Sequence, residues 1–321
     1  MGTHLVRTVV TATLITAPAL AVAQTTPFRA GVDLVRVGVT VLDDDGRCIT
    51  DLKPGEFEVY EDGARQEIAF FSGGREEATV DLDETQRMRL GLLFDTSGSM
   101  NNDIKMARSA AIKFLNTFPR AMDITLVDFD TEVRVARYGQ ADFPRLVERI
   151  RERKPDGWTA LYDALGAYLD GSFEQLGRKV LVLYTDGGDT RSAVTFSEAM
   201  EMLRAADVTV YVIGFVENQS PSVRNAQRMQ LMQLAGATGG EAFFPMSPEK
   251  LDGIFDRVAS QIHAQYNLGY ASTNAQQDGK WRRLEVRLVG PRAKGLKVRA
   301  RPGYYASLVP RRIAITSQET P

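Results

Sequence analysis

The chain has a single cysteine, Cys48, and two histidines among its 321 residues. One cysteine cannot close an intrachain disulfide, so packing and hydrogen bonding must hold the fold. Cys48 also lies far from the amino-terminal apolar stretch, which argues against lipidation there, and it reads as a small half-buried strand residue. Zinc and copper favour nitrogen and sulfur donors, and with only His4 near the start and His263 near the end no such site can be assembled. Beyond residue 23 no stretch approaches the roughly 20 apolar residues of a membrane helix, so no membrane span is expected. Excess charge is lacking too. A net charge of −2 gives no bulk attraction to nucleic acid or anionic lipid. In the basic run "PRAKGLKVRARPGYY", Lys297, Arg299 and Arg301 alternate with Leu296, Val298 and Ala300. That pattern is the wet face of a strand, and no nucleic-acid partner is expected.

What is present is ordinary globular composition, 44% hydrophobic and 25% charged, over a length that exceeds one usual domain. Residues 1–23 carry one arginine, a short apolar run and Ala21-Val22-Ala23, the pattern of a cleavable export signal. The expected location is the periplasm or the outside medium. From residue 28 to about 80 the pattern is strands and tight turns. Val35, Val37, Val39 and Val41 alternate with polar or small residues, with turns at Asp45-Gly46 and Asp62-Gly63. The acidic run at Asp43–Asp45 does not fit a calcium loop, because the positions of the first and last ligands fall on Val41 and Leu52. An acidic stretch, "GGREEATVDLDETQRMR", then reads as a linker.

Over residues 87–264 the pattern changes. Continuous apolar runs, "LGLLFD", "DITLVDF", "KVLVLYTD" and "VTVYVIGF", alternate with helical segments. Strands that are apolar throughout are buried on both faces, as in a mostly parallel sheet covered by helices. The last helix is expected at Pro248–Ala264, capped by Ser247, and Met100 and Met106 are expected as core filler. Residues 265–308 return to alternating β pattern, and residues 309–321 form a tail. A small isolated sheet is marginal. The expected fold class is therefore α/β, a doubly wound, mostly parallel sheet, inserted between flanking β segments that pair into a small β-sandwich, with two separate β appendages as the alternative.

The chemistry concentrates where apolar runs end. Asp95 closes "LGLLFD" and Asp186 closes "KVLVLYTD", so both carboxylates should emerge at one edge of the sheet, where ligands of such sheets bind. Ser97 and Ser99 lie in the turn after Asp95. Two carboxylates facing each other in a dry crevice repel, and a divalent cation removes the conflict. Hydroxyls and carboxylates are hard donors, which selects Mg²⁺, Mn²⁺ or Ca²⁺. Asp128, Asp130, Asp163 and Asp189 are expected to be solvated or capping. Trp158 either shapes a partner surface or packs partly buried.

"DTSGSM" resembles the aspartate and two-serine signature of the von Willebrand factor type A domain, with counterparts of the family's remaining ligands at Thr159 in "GWTALYDAL" and Asp186 in "LYTDGGD". The flanks resemble β regions around this domain in a group of exported bacterial proteins. The resemblance implies a metal-ion-dependent adhesion site of Asp95, Ser97, Ser99, Thr159 and Asp186. Ser97 and Ser99 would bind the ion directly, Thr159 directly or through water, and Asp95 and Asp186 mainly through bridging waters. Mg²⁺ is the first choice, with Mn²⁺ or Ca²⁺ as alternatives. The open coordination position would take a Glu or Asp carboxylate of a protein partner. The implied function is a non-catalytic, metal-dependent protein-binding module. The alternatives are an envelope component in which the metal only stabilises the fold, and a metal-dependent hydrolase. For the hydrolase no base is evident near the serines, and the first strand's loop lacks the glycine patterns of nucleotide enzymes.

Overall fold

The computed structural model describes residues 34–73, 87–102, 104–173 and 175–306. The expected export signal, most of the acidic linker, both outer ends of the expected β segments and the expected tail lie outside these residues.

The first β segment supplies β1 (Leu34–Leu42), β2 (Phe57–Glu61), β3 (Ala64–Gln66) and β4 (Ile68–Ser72). Val37, Val39 and Val41 of β1 point into a core and are at most 1% exposed. Thr40, between them, is equally buried, so this end of β1 is covered on both faces. β2 and β3 form a hairpin through Asp62-Gly63.

The middle of the chain builds the α/β body. Its elements are β5 (Met88–Asp95), α1 (Ile104–Asn116), β6 (Asp123–Phe129), β7 (Val133–Gly139), α2 (Phe143–Glu152), α3 (Leu161–Ser172), β8 (Arg178–Thr185), α4 (Phe196–Ala205), β9 (Thr209–Gly214), α5 (Pro221–Gly236), β10 (Ala242–Phe243) and α6 (Leu251–His263). The six strands lie in the order β10-β9-β8-β5-β6-β7, all parallel except β7 at one edge. Residues of β5 and β8 alternate between two cores. Leu90, Leu92 and Phe94 meet α1 and α6 on one face, whereas Leu93, Leu181 and Leu183 meet α3, α4 and α5 on the other. This double burial is why the strands are apolar throughout. Strand order reverses at β5, so the crevice between the carboxyl ends of β5 and β8 is the switch point of the sheet.

The chain then returns to β structure with β11 (Tyr266–Ala271), β12 (Trp281–Leu288), β13 (Lys297–Ala300) and β14 (Gly303–Tyr305). Two four-stranded sheets result, β13-β1-β11-β4 and β14-β12-β2-β3, each combining strands from before and after the α/β body. They enclose one core of Val37, Val39, Phe57, Val59, Tyr266, Leu268, Tyr270 and Leu284. Inside it the Glu61 carboxylate accepts from the hydroxyls of Tyr270, Ser272 and Tyr304 at 2.6–2.8 Å, joining the two sheets. These sheets pack under the amino ends of the parallel strands, opposite the switch point. Arg299 pairs with Glu241 just before β10 at 2.5 Å, and Gln265 meets Thr209 at the start of β9.

Several sequence expectations need correction. The closing basic run does not form one strand: β13 ends at Ala300, and β14 after it lies in the other sheet. On its basic face Lys297 is exposed beside Asp44 as expected, but the arginines are not wet: Arg299 bonds Glu241 and Gln261, and Arg301 bonds the backbone of Arg204 and faces Asp207. The alternation was real, but the other side of the strand meets the α/β body. The last helix starts at Leu251, after a 3-10 turn at Pro248–Lys250, and Ser247 makes no side-chain cap bond. Met100 is buried at 2% exposure, whereas Met106 is 42% exposed on the outer side of α1.

Candidate functional site

Asp95 is the last residue of β5 and is fully buried. Its carboxylate accepts from the Ser97 amide at 2.9 Å through one oxygen and from the Thr185 hydroxyl at 2.7 Å through the other. Thr185 ends β8 and in turn accepts from the Gly187 amide at 3.0 Å. Desolvation, followed by repulsion from Asp186, raises the Asp95 carboxyl from its ordinary 3.8 to about 7, outweighing the Ser97 and Thr185 bonds. The ends of β5 and β8 therefore hold two mutually repelling carboxylates with too little water around them.

The Ser97 and Ser99 hydroxyls lie 3.1 Å apart in the turn after β5, Ser97 buried and Ser99 exposed. The loop before α3 is bonded to this turn twice. The Asp156 amide donates to Thr96 O at 2.9 Å, and the Gly98 amide donates to Gly157 O at 3.1 Å. That loop carries Thr159, 4% exposed, whose amide donates to Thr190 Oγ1 at 3.0 Å. Its carbonyl accepts from the amides of Thr190 and Arg191 at 2.9 and 3.1 Å. Thr190 and Arg191 belong to the loop after β8 that begins with Asp186, itself 7% exposed. Three loops at one sheet edge are thus tied together by backbone bonds, and each contributes at least one of the five oxygen-bearing side chains.

The supporting residues were not singled out from sequence. Thr185 lies inside an apolar run, and Thr131 and Thr190 lie in loops where hydroxyls are common. Gly157 has φ +72°, and a Cβ there would overlap Thr131 Oγ1, so only glycine lets the loop close against Thr131. The same hydroxyl accepts from the Trp158 amide at 2.9 Å. Asp189 is the cap of α3 from another loop, accepting from the Leu161 amide at 2.9 Å and from Ser192 Oγ. Asp163 accepts from the amides of Ala193 and Val194 at 3.0 and 2.9 Å.

Asp128 and Asp130 are not solvated. They are buried at 3% and 6% exposure and neutralised by Arg134, Arg149 and Arg153. Trp158 is not packed away either. Its indole is 65% exposed.

As a donor set, Asp95, Ser97, Ser99, Thr159 and Asp186 offer only hard oxygens, which suits Mg²⁺, Mn²⁺ or Ca²⁺ and not zinc. Among the described residues no group of three or more His, Cys, Asp and Glu side chains is gathered for a metal, so any ion here must rely on hydroxyls. The buried Asp95 beside Asp186 fits such an ion, since a cation would offset both the desolvation and the repulsion that raise its pKa. His263 is far from this edge. It ends α6, stacks on Phe118 at 4.6 Å between ring centres, and burial holds its imidazole below the ordinary value. The neighbouring Ile262 carbonyl is bonded by Arg178 at the start of β8, which places His263 under the opposite edge of the sheet. No helix among the described residues is long and apolar enough to cross a membrane.

No curated protein matches the chain significantly. Among solved structures, the PilB minor pilin from Streptococcus sanguinis is 17% identical with a TM-score of 0.47, covering 58% of this chain and 63% of its own. The vWF domain of the type V pili tip protein Mfa5 from Porphyromonas gingivalis is 15% identical with a TM-score of 0.47, covering 56% of this chain and 95% of its own. The pilus adhesin SpaC from Lactobacillus rhamnosus GG, in an open conformation, is 9% identical with a TM-score of 0.48, covering 81% of this chain and 49% of its own. The chain thus spans less than two thirds of the length of PilB. The family model of the von Willebrand factor type A domain matches residues 90–257, more than half of the chain and nearly the whole α/β body, and the protein belongs to that family.

Proposed function

We propose that the protein is an exported, non-catalytic binding module that holds a divalent cation, Mg²⁺ first, and captures a Glu or Asp side chain of a protein partner through it. The observation that carries this reading is the Asp95 carboxylate, buried, facing Asp186 and forced up to a pKa of about 7. A lone protein would gain stability by replacing it; a cation site requires it. Ser97, Ser99 and Thr159 would supply neutral oxygens, and with Asp95 and Asp186 acting mainly through bridging waters no carboxylate would fill the inner shell, leaving a coordination position open to one from outside. Catalysis is not favoured, because His263 lies under the opposite edge and no other imidazole lies among the described residues to activate Ser97 or Ser99.

Mg²⁺ titration by calorimetry, followed by partner capture from the native envelope with Mg²⁺ or with chelator, tests the reading. Wild type should bind one ion, Asp186→Ala none, and capture should be lost with chelator. Absence of ion binding by a folded wild type, or capture indifferent to chelation, overturns it.

A further inference from the structure

Thr159 is flanked by two exposed side chains of the kinds that dominate protein interfaces, a tryptophan and an arginine. Trp158 precedes it in the chain, and Arg191 donates its amide to the Thr159 carbonyl at 3.1 Å. One therefore stands at the amino end of Thr159 and the other at its carbonyl end.

Both are displayed on fixed backbone. The Trp158 amide is held by Thr131 Oγ1, the preceding Gly157 carbonyl by the Gly98 amide, and the following Thr159 amide by Thr190 Oγ1. The indole makes up no part of a core: it is 65% exposed at the end of a loop that its own hydrogen bonds immobilise. Arg191 is exposed and forms no ion pair among the described residues, although acids surround it in sequence. Of these, Asp189 is committed to the start of α3 and Ser192, and Asp186 belongs to the candidate cation site; Asp163, which reaches the same loop from α3, is taken by the amides of Ala193 and Val194. Among the described residues no carboxylate is paired with the guanidinium, which is left facing solvent.

We propose that Trp158 and Arg191 read the residues on either side of the partner's metal-seeking carboxylate. The partner segment carries an apolar side chain on the Trp158 side and a second carboxylate on the Arg191 side. Fixed display of both groups lowers the ordering cost of binding, since neither loop has to be arrested when the segment arrives. The inference rests on the metal-dependent reading above and adds sequence preference to it.

A peptide array tests it. Each peptide holds one fixed Glu, with the positions before and after it varied through Leu, Ser, Lys and Glu, and is probed with the full chain in Mg²⁺ and in chelator. Wild type should prefer peptides with one apolar and one acidic neighbour. Trp158→Ala should lower the affinity for peptides with an apolar neighbour at least about tenfold and leave the remainder unchanged. Arg191→Glu should exchange the preference for a second Glu for a preference for Lys, with a change of about three- to fivefold for an exposed pair. Melting temperatures and Mg²⁺ affinity of both variants should match wild type. If wild type shows no Mg²⁺-dependent binding to any Glu peptide, the metal-dependent reading fails and this inference with it. If wild type binds but Trp158→Ala and Arg191→Glu keep its preferences, the inference alone is overturned.

Discussion

Asp95→Asn separates the needs of the site from those of the fold. In the metal-free protein the Asp95 carboxyl titrates near 7 instead of 3.8. The folded state therefore holds its proton more tightly than the unfolded chain. The stability linked to that proton is fully present below about pH 3.8 and is lost progressively as pH rises through 7. The difference, about three pH units at roughly 1.4 kcal/mol each, makes the ionised carboxylate cost about 4 kcal/mol at pH 8. Asparagine keeps the oxygen that accepts from the Ser97 amide but turns an NH₂ toward Thr185, whose hydroxyl then loses its acceptor. That loss is worth about 1 kcal/mol. Metal-free Asp95→Asn should thus be more stable than wild type by about 3 kcal/mol at pH 8, or on the order of 5–10 °C in melting temperature for a domain of this size. The gain should shrink toward zero or below near pH 4. In Mg²⁺ at a hundredfold excess over Kd the order should narrow or reverse, because wild type gains about 2.7 kcal/mol and the variant does not. The assay is thermal unfolding with chelator and with Mg²⁺ across this pH range. A metal-free variant less stable than wild type at pH 8, or a difference independent of pH, would refute the reasoning.

Three other substitutions probe the parts that position the site and the fold. Gly157→Ala combines a positive φ of +72° with overlap on Thr131 Oγ1, and should cost about 1–3 kcal/mol while weakening Mg²⁺ binding; calorimetry showing wild-type affinity would contradict it. Glu61→Ala takes the acceptor from the hydroxyls of Tyr270 and Tyr304, while Ser272 keeps the Asn274 carbonyl, so urea unfolding should show a loss of about 2 kcal/mol with Mg²⁺ affinity unchanged. A loss under about 1 kcal/mol would mean that these hydroxyls find other partners. At Gly240 a Cβ would fall on the Val210 backbone carbonyl, which cannot move without breaking β9. Gly240→Ala should abolish cooperative unfolding followed by circular dichroism, and a wild-type melt would exclude that close approach.

The parallel strands β5, β6, β8 and β9 were legible because burial on both faces demands uninterrupted apolar sequence, and little else does. β7 was not, since an edge strand reading Val-Arg-Val-Ala-Arg carries only weak alternation, and α2 was not, since it buries only Leu146 and Ile150. Two residues of β10 are too few to give any period. At the candidate site, Asp95 and the serine turn stood out because polar groups interrupt an apolar run. The residues that brace them, Thr185, Thr190 and Gly157, act through bonds to partners distant in sequence; Thr185 reaches Asp95 across 90 positions. Asp128 and Asp130 were misread partly for the same reason: Arg134 is near in sequence, but their other cations Arg149 and Arg153 come 21 and 23 residues later from α2 and the residue after it.

Only Ala264 and Gln265 separate the end of α6 from β11, and β11 is an interior strand of its sheet. Gln265 is wedged against Gly38 and is 2% exposed, so the splice has no slack. α6 cannot slide along its axis without dragging that sheet, nor can tension on the sheet bypass the helix. The rod runs from the sandwich toward the edge that bears Asp95, which makes the β domain a handle for the opposite end of the molecule.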